Sequence, residues 1–302
     1  MKIKQLLKWM TIIAVIIGGA IAIPKLYAAT QIIEGIYTDS DGVRWEYSYD
    51  SSDENSDVSV AFFDKPDEIT KVKVPSVPDM VDKSGNRIIP EGHEVVQVVS
   101  RFDIIGEKPN DCNTAVNEIN LENTLNVESL SPMLDTSVDT KVILPSTGIY
   151  LQEGVFIDAT VDITNLENVI YIGNKCFYNT KFKNPDISLK KLESLGIYSF
   201  SQSNIKTLYI DMPSVTAYSF TDCTELSSVE LGDNVTTLGS NLFANDYNLK
   251  TINYNNVTQV DNCCFQNCKS LTTSLNDTKI AVIGAQAYEN CISMTGDLVM
   301  PE

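Results

Sequence analysis

An aromatic residue recurs along the second half of this chain on a fixed beat, and that beat restricts what the chain can fold into. Phe156, Phe177, Phe200, Phe220, Phe243, Phe265 and Tyr288 are separated by 21, 23, 20, 23, 22 and 23 residues. Other columns keep the same interval. A β-branched residue or leucine followed by glycine stands just ahead of several of them, at Ile172-Gly173, Leu195-Gly196, Leu238-Gly239 and Ile283-Gly284. Cys223, Cys268 and Cys291 each follow an aromatic by three residues, and Leu226, Leu271 and Met294 follow three further on. Self-similarity at such a period is the mark of a repeat architecture.

Each unit also carries a short alternating run, as in Thr207-Leu208-Tyr209-Ile210, Ser228-Val229-Glu230-Leu231 and Thr251-Ile252-Asn253-Tyr254. Alternation over four residues predicts a strand with one buried face. A unit with one such strand and a tight return cannot bury its apolar side alone. Stacked side by side, the units form a parallel sheet over a continuous core. A globular β-sandwich would not hold Phe, Gly and Cys in register over six intervals. The expected fold is therefore mainly β, a solenoid of short parallel strands.

Val229-Glu230-Leu231, Val235-Thr236-Thr237-Leu238-Gly239 and Leu242-Phe243 together resemble the BspA-like leucine-rich repeat. Val142-Ile143-Leu144-Pro145-Ser146, Phe265-Gln266-Asn267-Cys268-Lys269-Ser270-Leu271 and Leu298-Val299-Met300-Pro301 fit the same pattern. The resemblance is close over residues 141–302 and loose over 111–140, where Ile119, Leu121 and Leu134 carry it. It departs from the pattern at Phe182 to Lys191, and the fifth and sixth units lose the proline after the strand. The chain stops at Met300-Pro301-Glu302, partway through a repeat. Because an open solenoid end exposes core, the expectation is an incomplete chain or a downstream partner that covers the end.

Three segments are expected. In residues 1–29, Lys2, Lys4 and Lys8 precede the apolar run Trp9 to Ile23, and Ala28-Ala29 end it. That is the pattern of a secretory signal peptide; an uncleaved anchor is the alternative, since Leu26 and Tyr27 suit a cleavage site poorly. Residues 30–110 lack the aromatic beat but alternate at Val43 to Tyr49 and Val58 to Phe63, across an acidic loop, which predicts a hairpin. Further strands are expected at Ile69 to Pro75 and Glu94 to Val99. Lys71-Val72-Lys73-Val74-Pro75-Ser76 echoes Lys141-Val142-Ile143-Leu144-Pro145-Ser146. This part is expected to be a small β-sheet that caps the first repeat, as the resemblance also implies, and residues 111–302 are the leucine-rich repeats.

The charge balance excludes several functions. There are 40 Asp and Glu against 22 Lys and Arg, and loss of residues 1–29 removes four lysines, leaving a net charge near −22. Nucleic acids and anionic membranes would repel such a chain, so no nucleic-acid partner is expected and no membrane contact beyond the signal or anchor segment. A single histidine, His93, rules out sites that need two. No nucleophile motif flanks it, and no catalytic, cofactor-binding or metal-ligating residue is assigned: the chain does not read as an enzyme.

Of the seven cysteines, Cys223, Cys268 and Cys291 share one repeat position, while Cys176 and Cys264 stand where Ser199, Ser219 and Ala287 stand in other units. That pattern favours buried free thiols that act as small hydrophobes; a Cys268–Cys291 bridge, or one from Cys263 to a neighbour, is the best exception. Asp39-Ser40-Asp41-Gly42 and Asp50 to Glu54 resemble fragments of calcium loops but lack the spacing of an EF-hand, and solvated turns explain them. Asn234, Asn256 and Asn276 head N-glycosylation sequons.

If the strands line one side, their outward residues form a column: Asn120, Ile143, Asp162, Ser188, Tyr209, Glu230, Asn253 and Asn276, flanked by Glu118, Glu122, Asp186 and Asp211. Asp162, Asp186, Tyr209, Asp211, Glu230 and Asn253 are the candidate ligand face. A rigid acidic ladder suits a basic region of a large partner, or a glycan; alternatively these residues merely keep the solenoid soluble. The resemblance implies a secreted or cell-surface protein that adheres to host matrix or other extracellular proteins. The alternative is a cell-wall or glycan-binding arm of a larger protein whose catalytic or anchoring domain lies beyond residue 302, although glycan binding calls for more exposed rings than Trp45 and Tyr209 supply.

Overall fold

A short alternating run is satisfied when it lies as a strand with one face on the core. Nearly every such run in this chain does so. The computed structural model describes residues 31–53, 55–93, 96–99, 116–130, 133–134, 138–276 and 278–295. The expected signal segment, the 110/111 boundary and residues 296–302 lie outside the described residues.

β1 (Ile32–Thr38), β2 (Arg44–Asp50) and β3 (Val58–Asp64) form an antiparallel meander. The β2–β3 hairpin is the predicted one, and β1 is an additional strand. The Arg44 guanidinium pairs with the buried Asp64 carboxylate between these two strands. Single-stranded rungs then come in couples: β4 (Lys71–Lys73) and β5 (Val96–Val98), β6 (Glu118–Asn120) and β7 (Thr124–Val127), β8 (Asp139–Ile143) and β9 (Ile149–Leu151), β10 (Thr160–Thr164) and β11 (Val169–Ile172). They are followed by β12 (Lys181–Phe182), β13 (Asp186–Leu189) and β14 (Ser194–Leu195). The regular couples resume with β15 (Thr207–Ile210) and β16 (Ser214–Val215), β17 (Ser228–Leu231) and β18 (Thr237–Leu238), β19 (Thr251–Ile252) and β20 (Gln259–Val260), and β21 (Val282–Ile283) ends the described series.

From β3 onward the strand pairings are parallel. One sheet runs β4-β6-β8-β10-β12 and is resumed by β13-β15-β17-β19; the other runs β1-β2-β3-β5-β7-β9-β11-β14 and is resumed by β16-β18-β20-β21. This is a mainly β solenoid. No described helix is long and apolar enough to cross a membrane.

A third seam is built without strands. At the aromatic turn, alternate backbone N–H groups donate to the next coil: Phe177 to Ser199, Phe200 to Ser219, Phe220 to Leu242, Phe243 to Cys264 and Phe265 to Ala287, at 2.7 to 3.1 Å. The geometry needs a left-handed residue on each side of the aromatic, such as Asn241 (φ 55) and Asn245 (φ 67) around Phe243. Asn and Asp tolerate that conformation best among residues with a side chain. Inside, the rings from Phe156 to Tyr288 form one unbroken stack, with centroids 4.8 to 5.7 Å apart. The glycine column lets coils touch: a Cβ on Gly239 would stand 2.6 Å from the Ala217 nitrogen and 2.7 Å from the Val215 oxygen.

The cysteine column is a row of donors. The thiols of Cys223, Cys268 and Cys291 donate to the carbonyls of Phe200, Phe243 and Phe265 one coil back, at 3.1, 3.1 and 3.0 Å. Thr180 does the same to Phe156 at 2.6 Å. All six described cysteines are free, Cys268 and Cys291 included. Burial pushes the Cys291 thiol up to about 11, and Cys223 and Cys264 well above the ordinary thiol range. The thiolate is the reactive form, so these are inert packing groups. In the Phe243 coil the same position is held by Asp246, which is fully buried with neither carboxyl oxygen hydrogen-bonded. Desolvation raises its pKa well above that of an ordinary carboxyl.

Candidate binding face

The outward residues of the first sheet divide into two charge regimes. In the early coils the register aligns Lys71, Glu118, Lys141 and Asp162 across four strands. Glu118 accepts from Lys141 at 3.2 Å and Lys71 at 3.5 Å. Partial desolvation pushes the Glu118 carboxyl up, but these two ammoniums outweigh it and hold it below the usual range. Lys73–Glu122 at 3.7 Å and Lys183–Asp139 at 2.8 Å extend this mixed lattice.

This register corrects the predicted column. Asp162 lies in the row of Lys141 and Glu118, whereas Asn120 and Ile143 align with Thr164. The reason is that alternation fixes the face of a strand and not its register: Asp162 and Thr164 share a face of β10, and only the pairing shows that Thr164 stands beside Ile143. Strands in the early coils begin four residues after the aromatic, as at Phe156 to Thr160, and later ones seven or eight after it, as at Phe220 to Ser228. That lengthening falls between β12 and β13.

Beyond the change the prediction and the register agree, and Ser188, Tyr209 and Glu230 stand in line. Here the acids lose their lysines: among the described residues, Asp186, Asp211, Glu230 and Asp233 form no ion pair. Desolvation, then the charges of Asp211, Glu230 and Asp233, raise the Tyr209 phenol. A neutral ring ringed by carboxylates is shaped for a cationic side chain, which can lie on the ring and pair with the acids.

The six predicted residues are not equivalent. Tyr209 and Glu230 present their side chains outward. Asp162 and Asp186 line a cleft of about 340 Å³ together with Ile163, Glu167 and Phe182. Asp211 is a turn residue, its two oxygens accepting from the Asn234 backbone N–H at 2.9 Å and side-chain amide at 3.0 Å. Asn253 acts as a strand surrogate: its amide accepts from the Leu231 N–H and donates to the Leu231 carbonyl. Asn276 lies in a turn past the last strand of that sheet. Asp233 and Glu167 are additions that spacing did not single out, because both sit in turns outside the alternating runs. Trp45 is fully buried and presents no ring.

A profile of the BspA-type leucine-rich repeat region matches residues 135–213 and 210–301, in six copies. The chain belongs to the BspA-type leucine-rich repeat family. Among solved structures, a leucine-rich repeat protein from Eubacterium ventriosum aligns at 16% identity over 89% of this chain and 98% of its own, with a TM-score of 0.47. A leucine-rich repeat protein from Bacteroides ovatus aligns at 17% identity over 89% and 81%, with a TM-score of 0.31. A leucine-rich cell surface protein from Faecalibacterium prausnitzii aligns at 14% over 86% and 93%, with a TM-score of 0.29. No curated protein matches. In this BspA-type solenoid the repeat supplies the scaffold that carries the outward rows.

Proposed function

We propose that this chain is a secreted or cell-surface interaction protein that adheres to extracellular proteins, such as host matrix or surface proteins, through the strand face around Tyr209. The observation that carries this reading is the change of charge regime: carboxylates paired with lysine on the early coils give way to Tyr209, Glu230 and Asp233, which form no ion pair among the described residues. Such a surface attracts a basic region of a partner and steers its approach. Among the described residues Glu230 is exposed and Tyr209 half-exposed on this face, which suits contact with a large partner.

The test is binding of residues 30–302 to immobilised matrix proteins and to a glycan array. Reversing Glu230 and Asp233 to lysine is expected to weaken protein binding about tenfold, since exposed charge pairs contribute about 0.2–1 kcal/mol each and reversal adds repulsion. Unchanged affinity would place the ligand elsewhere. A glycan-binding reading has one supporting observation: Tyr150, exposed, stacks on Tyr171 with centroids 6.4 Å apart on the other sheet. Binding to glycans alone, lost on Tyr150→Ala, would decide for it.

A further inference from the structure

The break between the two halves of the first sheet leaves two strand edges facing the same cleft. β10 pairs with β8 along all five residues, but its other edge is paired only at Thr160 and Val161, by β12. The Thr164 carbonyl accepts from the Leu144 N–H on the β8 side. By alternation the N–H and C=O of Ile163 point the other way, into the cleft. The ladder on that side reaches the Lys183 N–H, which donates to the Val161 carbonyl at 2.9 Å. The donor due two residues later falls on Pro185, which has no N–H.

Across the cleft, β13 pairs only with β15. The Lys206 N–H donates to the Pro185 carbonyl on the β15 side, so Asp186 and Ser188 turn their backbone groups toward β10. Asp186 N–H has only the Asn184 side-chain oxygen, at 3.5 Å. No backbone hydrogen bond to Ile163 or Ser188 on the cleft side is present among the described residues. Ile163, Phe182 and Ile187 give the cleft an apolar floor, and Asp162, Glu167 and Asp186 give it a rim with no ion-pair partner among the described residues.

Open strand edges are templates for another strand, and adding one is an established way to bind an extended peptide. We propose that this cleft takes an extended segment of a partner protein, which adds a strand between β10 and β13 and sets a lysine or arginine against Asp162 and Asp186. The inference rests on the protein-binding reading above and adds where and how a segment is held.

The full chain is screened against a displayed heptapeptide library, and the best binder is resynthesised with a single N-methyl group at each position in turn. Enrichment of lysine or arginine is expected, and N-methylation should weaken binding at least tenfold at alternate positions only, where the peptide N–H joins the ladder. Asp162→Lys with Asp186→Lys should weaken binding at least tenfold, and Glu193→Lys, an exposed acid outside the cleft lining, should leave it unchanged. Both acids lie on the sheet's outward side, so a circular-dichroism melt close to that of the parent is expected; Ser188→Pro, which deletes one cleft N–H, is the second variant. A response to N-methylation that is uniform along the peptide, selection without basic residues, or indifference to the Asp162 and Asp186 reversals overturns the proposal. Matrix-protein binding that is lost with Glu230→Lys and Asp233→Lys while no peptide occupies the cleft overturns the cleft alone. Peptide binding with the alternate pattern, in a chain that adheres to no extracellular protein, supports the cleft and overturns the adhesion reading.

Discussion

Asp246 shows how much one position in a repeat can demand. Its column asks for a donor, and Thr180, Cys223, Cys268 and Cys291 each supply one to the aromatic's carbonyl in the preceding coil. An ionised carboxylate cannot donate, and the Cys223 N–H that faces it is already engaged with the Phe220 carbonyl at 3.3 Å. The folded state therefore favours the protonated form of Asp246. The sign follows: the folded pKa lies above the unfolded value of about 3.9, so this group's contribution is fully present below that value and is lost as pH rises. The loss is about 1.4 kcal/mol per pH unit until the folded pKa is passed. Urea titrations of the parent and Asp246→Asn from pH 5 to 8 are expected to show the parent losing ground to the variant as pH rises. A constant difference would mean that the carboxyl is not held neutral. Asp246→Cys, which restores the column's donor, is expected to stabilise the chain at pH 7.

The elements show a second dependence on small polar groups, at the aromatic turn. Asn245 donates to Asp222, Asn267 to Asn245 and Asn290 to Asn267, at 2.8, 2.7 and 2.8 Å. Each of these residues also has positive φ. Asn267→Ala removes ladder bonds of about 1 kcal/mol each and puts in the left-handed region a residue without asparagine's local side-chain hydrogen bonding, at up to about 1 kcal/mol. A loss of about 2–3 kcal/mol in urea unfolding is expected, with Asn267→Gly costing less because only the bonds are lost.

This column was legible in the sequence, two residues after six of the seven aromatics, at Asp158, Asn179, Asp222, Asn245, Asn267 and Asn290, yet hydrophobic periodicity does not weigh it. Aromatic, glycine and cysteine columns were readable because each serves the core, where spacing and burial go together. Strand register was not, because alternation places Asp162 and Thr164 on the same face and does not say which of them stands beside Ile143. β1 escaped for another reason: Ile36 and Tyr37 alternate only weakly with their neighbours. The candidate face was half readable. Outward acids can be listed from alternation, but whether a lysine neutralises them depends on which strand lies alongside.

For the whole molecule, the ring stack makes neighbouring coils depend on one another. Phe220 touches only Phe200 and Phe243 within that stack. Phe220→Ala is expected to cost about 3–5 kcal/mol, as for a large buried side chain. In a quasi-one-dimensional array the damage stays with nearest neighbours. Hydrogen exchange is therefore expected to show faster opening of residues 200–245, with β4 to β10 still protected. Uniform loss of protection along the chain would mean that the solenoid opens as a single unit.

Contacts between coils also fix the order in which the chain can assemble. In the aromatic coils the cross-coil side-chain bonds from Thr207 to Asp186 and from Cys291 to Phe265 span 21 and 26 residues, whereas Lys71 and Glu118 lie 47 apart, so it is among the aromatic coils that each needs only its near neighbours. Each coil finds its template already in place as soon as one further turn of chain has emerged. Growth of structure can thus keep pace with delivery of the polypeptide from its amino terminus, whether from a ribosome or through a narrow pore. A chain delivered that way leaves little unfolded length exposed at any moment.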